Sequence, residues 1–164
     1  MLEVGGGIGA IQIELLKAGA SRALSVELTS TYEQEAMALL REAGLDARVE
    51  RQVMDFAETA GAIDGADIVI LNRVICCYPD MPKLAGAAAA HTREVLVLSY
   101  PKETWWTRFG LWLGNLVLRI MRREFQVFLH PPKEILATSE RHGLRTVLNR
   151  TGLFWTVAAL RRAA

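Results

Sequence analysis

The chain of 164 residues is poor in the residues that build covalent frameworks and metal centres. It has two cysteines, Cys76 and Cys77, and they are adjacent. Neighbouring cysteines bridge each other only by straining the intervening peptide, so no disulfide framework is expected, and a reducing, cytoplasmic setting fits best. The three histidines and two cysteines have no spacing of the zinc type, and no metal site is predicted. Neither sign of charge is in excess. The 19 basic and 18 acidic side chains leave +1, which does not call for nucleic acid as a partner. The first residues, Met1-Leu2-Glu3-Val4, carry no charged leader followed by an apolar run. The most apolar stretch, 105–121, is interrupted by Arg108, Asn115 and Arg119 and falls short of a membrane span. No repeat or low-complexity linker divides the chain, so 1–164 is expected to form one domain.

Hydrophobic patterning then sets the elements. Leu2 to Val4 reads as the end of a buried strand, and Gly5-Gly6-Gly7-Ile8-Gly9 as a tight turn into a helix over Ala10 to Ala18. Ala23 to Glu27 is a second strand. Ser30 or Thr31 is placed to cap a helix reaching Ala43, with Gly44 as its stop. Leu45 to Val53 fits a third strand, and the Ile/Val-rich run Ala66 to Leu71 a strand buried on both faces. An Ala-rich helix lies within Pro79 to Thr92, and Glu94 to Tyr100 is a fifth strand. A long helix is expected from Glu103 to Arg123 and another from Lys133 to His142, which makes 103–143 a helical insertion on the substrate side. Leu144 to Arg150 and Leu153 to Leu160 read as two strands joined at Thr151-Gly152. This alternation predicts an α/β fold: a doubly wound, mostly parallel Rossmann-like sheet with an antiparallel C-terminal strand and helices on both faces.

A glycine-rich turn between strand and helix lets backbone N–H groups approach a ligand at the positive end of the helix. Read as Gly5-x-Gly7-x-x-Ala10, the turn fits the dinucleotide fingerprint of dehydrogenases. Read as Glu3-x-Gly5-x-Gly7-x-Gly9, it resembles the first motif of class I S-adenosylmethionine-dependent methyltransferases. Glu3 helps to separate the two. A carboxylate there can accept a hydrogen bond from an amino-acid ammonium group, whereas beside a pyrophosphate it would be repelled. Glu27, 18 positions after Gly9, suits ribose hydroxyls in either reading.

The resemblance to the methyltransferases covers nearly the whole chain and implies S-adenosyl-L-methionine as cofactor. It implies that Glu3, Gly5, Gly6, Gly7 and Gly9 hold the amino-acid end, with Glu27 and Leu28 on the nucleoside. Asp55 would meet the adenine amino group while Phe56 packs on the ring, and Asn72 would complete the cofactor set. Arg73, Tyr78 and Trp105 are then expected in the acceptor pocket. The segment Asn72 to Asp80 (NRVICCYPD), with Trp105-Trp106 and His130-Pro131-Pro132, is similar to the magnesium-protoporphyrin O-methyltransferase group. The family carries a segment before the first strand, including a helix over the cofactor. None precedes Leu2 here, so the chain reads as an N-terminally truncated member.

The resemblance implies transfer of a methyl group to a small, hydrophobic acceptor, with O-methylation favoured. Two other readings stand beside it. One is an NAD(P)-dependent oxidoreductase, for which no Tyr-x-x-x-Lys pair is present. The other is a catalytically silent nucleoside-binding module. His130 is the histidine placed to act as a base on an acceptor hydroxyl. Cys76 and Cys77 read as small buried apolar groups. The 105–123 helix reads as a lid packed over the acceptor site, as a peripheral membrane contact, or as a protein–protein face.

Overall fold

The computed structural model describes residues 1–123 and 125–163. Seven strands form one sheet: β1 (Leu2–Val4), β2 (Ala23–Glu27), β3 (Val49–Val53), β4 (Ala66–Asn72), β5 (Thr92–Pro101), β6 (Leu144–Thr151) and β7 (Trp155–Arg162). Six helices flank it: α1 (Ala10–Lys17), α2 (Glu33–Glu42), α3 (Phe56–Thr59), α4 (Met81–His91), α5 (Trp105–Ile120) and α6 (Pro132–Glu140). The strand order is β3-β2-β1-β4-β5-β7-β6. Strands β1 to β5 run parallel, and β7 inserts antiparallel between β5 and β6. The order reverses between β1 and β4, which opens a crevice beyond their carboxyl ends.

The middle strands carry the core. Val69, Leu71, Leu96, Leu98, Ala158 and Leu160 are fully buried, because they share the face of the sheet that α4 and α6 cover. On one face Leu84, Ala85, Ala88 and Ala89 of α4 and Ile135 of α6 close the core. The small side chains of α4 let that helix lie close to the sheet. On the other face Ile13 and Leu16 of α1 pack with Leu40 of α2 and Leu45. Side-chain caps fix two helix starts. Asp55 accepts the Ala57 N–H at 3.0 Å, and Asp80 accepts the Lys83 N–H at 3.0 Å.

Four expectations are corrected. Neither Ser30 nor Thr31 caps α2; the cap position is Tyr32, and the Thr29 and Thr31 hydroxyls bond each other at 2.9 Å. The stretch 46–48 is a 3-10 turn, so β3 starts at Val49. The hairpin turn extends over 152–154, where Gly152 N–H donates to the Trp155 carbonyl at 2.8 Å. Finally, α5 is no packed lid: none of its residues is buried. Its inner arc, Thr107, Leu111, Asn115 and Leu118, is half-buried. Asn115 holds it by exchanging hydrogen bonds with the Val127 backbone at 2.8 and 2.9 Å. Trp105, Phe109, Trp112, Leu116 and Ile120 face outward.

Candidate functional site

The β1–α1 turn is built over a buried carboxylate. Glu3 is paired with Ser25 and Ile70 in the sheet and is only 1% exposed. Its carboxyl lies beneath Gly6, where any Cβ would collide with it. Burial pushes its pKa up to about 7, against a hydrogen bond from the Gln12 backbone, and Oε2 has no partner. Glu3 thus stands back from the cleft that the turn borders. It supports the turn from below because the pleat of β1 points it inward.

Above it, Gly7 sits at φ +62°, where an L side chain is strained, and faces open space with Tyr32 Cδ2 the nearest atom at 3.8 Å from a built Cβ. Gly7 N–H donates to Glu27 Oε1 at 2.7 Å, so the end of β2 holds the turn. Burial raises the Glu27 pKa, with the Gly7 N–H and the Arg51 charge opposing. Arg51 binds the same turn from β3. Its Nη2 donates to the Gly7 carbonyl at 3.3 Å, Nη1 to Ser25 Oγ at 3.2 Å, and Nε to Glu33 at 2.9 Å.

These parts edge a cleft of about 280 Å³ at the carboxyl ends of β1, β2 and β4. Gly5, Gly7, Glu27, Leu28, Asp55, Phe56, Arg73 and Tyr78 line it, as the sequence predicts. Asp55 does two jobs there. Besides capping α3, both its oxygens accept from the Tyr78 hydroxyl, at 3.1 and 3.0 Å. That bond and burial raise the Tyr78 pKa to about 12, so the phenol stays protonated. Arg73 adopts φ 60°, and its guanidinium lies 4.8 Å from the Trp155 ring centroid.

Other predicted site residues stand elsewhere. Gly6 and Gly9 lie back from the cleft, against Glu3 and the Gln12 amide. Asn72 turns away: its Oδ1 accepts from Ser99 Oγ at 2.6 Å, because the two residues are paired in the sheet. Trp105 is 80% exposed and not part of the cleft, since the outward arc of α5 carries it. His130 also lies outside the cleft. Its Nε2 bonds the Tyr78 carbonyl at 3.0 Å and its ring stacks on Phe128, so it anchors a loop. Cys76 is buried as expected, but Cys77 is exposed on the cleft wall. The bond between the two thiols brings Cys77 down to about 7 and pushes Cys76 up.

Sequence reading missed Arg51 and Tyr32. The signal for Arg51 was a cation within a strand of a buried sheet; Tyr32 had only its place in the loop after Glu27. A larger hollow of about 760 Å³, walled partly by Arg22, Arg48, Asp64 and Asp67, lies at the opposite, amino ends of the strands. It shares no residue with the cleft. Among the described residues no cluster of three or more His, Cys, Asp or Glu could hold a metal ion.

The raised pKa of Glu3 makes a pH prediction. An unfolded Glu ionises near 4.5, whereas the folded one stays protonated to about 7. Stability that Glu3 contributes is therefore complete below 4.5 and lost as pH rises through 7. Glu3→Gln should gain stability relative to the native chain between pH 5 and pH 8 in urea unfolding. An equal difference at both pH values would contradict a protonated Glu3.

No family model matches the chain, and no curated protein matches it in sequence. Solved structures do match. Magnesium protoporphyrin IX methyltransferase from Synechocystis PCC 6803, with bound S-adenosylhomocysteine, superposes with a TM-score of 0.79 at 18% identity. The match covers 99% of this chain and 73% of that one. An O-methyltransferase family protein from Burkholderia thailandensis gives 0.80 at 19% identity, covering 99% of this chain and half of that one. A [4+2]-cyclase also matches, at 0.74 and 11% identity over 99% of this chain and 74% of that one. The chain thus has the Rossmann-like fold of the S-adenosylmethionine-dependent methyltransferases, a fold that also serves other chemistry.

Proposed function

We propose that the chain binds S-adenosyl-L-methionine in the β1/β2/β4 cleft and transfers its methyl group to a small, hydrophobic acceptor, with an oxygen as the favoured atom. The observation that carries this reading is the joint placement of Gly7 and Glu27. An open left-handed glycine and a half-buried carboxylate meet at the switch point of the sheet, where nucleoside ligands of this fold class bind.

The residues present fit that cofactor. Gly5 and Gly7 leave room for its amino-acid end, and Glu27 offers a carboxylate to a ribose. Leu28, Met54 and Phe56 give an apolar slot for a purine, with Asp55 at its rim. The bound group supplies a methyl carbon made electrophilic by a sulfonium. The chain's own contribution is alignment, worth several orders of magnitude in effective concentration when nucleophile and methyl are held in line. The carboxylates of Glu27 and Asp55 on the cleft wall favour a cationic cofactor over a pyrophosphate. Among the described residues no histidine or lysine lines the cleft, which suits an acceptor that is already ionised, or displacement by proximity.

We also read the outward arc of α5 as a peripheral membrane contact. No helix among the described residues is long and apolar enough to cross a membrane. Yet Trp105, Phe109, Trp112 and Ile120 are exposed, and Arg108 and Arg119 stand along one margin of that arc. Apolar anchors beside arginines suit the interface of an anionic bilayer. The chain should sediment with phosphatidylserine-containing vesicles and much less with phosphatidylcholine alone. A Trp112→Ser/Ile120→Ser variant that still sedimented equally would contradict this.

Calorimetry separates the cofactor classes. S-adenosylhomocysteine should bind and NAD should not. Gly7→Val should lose that binding by at least tenfold while its circular dichroism stays native. Binding of NAD alone, or unchanged affinity in Gly7→Val, would refute the assignment.

A further inference from the structure

A second cavity, of about 380 Å³, opens beyond the carboxyl end of β5, between the β6–β7 hairpin and the start of α6. Its walls differ in kind from those of the cofactor cleft. Lys102 and Lys133 bring two ammonium groups, and Asn149, Thr151 and Thr156 bring amide and hydroxyl groups. The first turn of α6, from Pro132, reaches the same wall, so the positive end of a nine-residue helix lies there.

Tyr100 is the second, independent observation. It lines this cavity, is 1% exposed, and its hydroxyl has no hydrogen-bond partner. Buried hydroxyls are nearly always satisfied, so an orphaned one in a cavity wall marks a missing acceptor. Thr156 Oγ1 donates to Thr151 Oγ1 at 3.3 Å, which leaves the Thr151 proton to bond elsewhere. Among the described residues Glu103 is the one carboxylate on the walls, and Arg108 stands 3.7 Å from its Oε1 and offsets its charge. The set is thus rich in donors and cationic, the chemistry of a site for an oxyanion.

We propose that this cavity binds a small oxyanion, the carboxylate or phosphate group of a larger molecule. In the methyl-transfer reading, on which this step rests, that molecule is the acceptor. Strands β5 and β7 lie one and two places from β4, whose end borders the cleft, so the two sites are roughly 5–10 Å apart along the sheet edge. Arg73 lines the cleft, and its guanidinium lies over Trp155, on the opposite face of β7 from Thr156. An acceptor anchored by its anion would reach along the carboxyl edge of the sheet and present its reacting atom at the cleft.

The test uses the whole ¹⁵N-labelled chain, titrated with inorganic phosphate and with acetate at constant ionic strength in chloride. Saturable amide shifts are expected at Lys133, Asn149 and Thr151. Saturation by phosphate alone assigns a phosphorylated acceptor, and saturation by acetate as well a carboxylate one. Lys102→Met/Lys133→Met should weaken binding at least tenfold and Tyr100→Phe several-fold, with S-adenosylhomocysteine affinity unchanged in both. Absence of saturable shifts, or unchanged anion affinity in the double lysine variant, would overturn the site. If phosphate binds and S-adenosylhomocysteine does not, the methyl-transfer reading falls and the anion site stands. The reverse result removes the anion site alone.

Discussion

The hydrogen bond from Gly7 N–H to Glu27 fixes the geometry on which the site depends. It ties the turn after β1 to the end of β2, two strands that already run side by side in register. Arg51 adds a third strand by holding the carbonyl of the same residue. The turn is therefore gripped at both its donor and its acceptor. Glu3 fills the space beneath, and Gly6 must lack a side chain for that carboxyl to fit. A backbone held this way exposes Gly7 to the crevice without collapse, which is the preorganisation a nucleoside site needs.

The two halves of the carboxyl edge carry different chemistry. Over β1, β2 and β4 the lining is apolar with carboxylates at its rim; over β5, β7 and β6 it is cationic and rich in hydroxyls. Arg73, in a left-handed conformation, belongs to the lining over β4. A reaction that joins a cationic donor to an acceptor with an anionic end would use that asymmetry. The cyclase among the structural matches is a reminder that sheet topology alone does not set the reaction. The side chains at this edge do.

Much of this was legible in the sequence, for identifiable reasons. Strands β1 and β2 fell where apolar runs end at Glu3-Val4 and Glu27, because a parallel strand buried on both faces leaves a continuous hydrophobic signature. Gly5, Gly7, Glu27, Asp55 and Tyr78 were placed at the cleft because strand ends and turns set their positions. Glu3 and Asn72 lie back from the cleft for a reason the sequence does not carry. Position along a strand was clear, but which way each side chain points depends on pleat and on cross-strand partners such as Ser99. Trp105 and the α5 lid were misread because amphipathicity says that a face is apolar, not what covers it. Arg51 escaped notice because its role lies in a contact 44 residues away in sequence.

The most direct measurement is a crystal structure of the chain with S-adenosylhomocysteine. The ribose hydroxyls should lie on Glu27 and the amino-acid end against Gly5 and Gly7, with Glu3 still enclosed beneath Gly6. A nucleoside seated elsewhere, or a turn that has to unwind from Glu27 and Arg51 to admit it, would contradict the account.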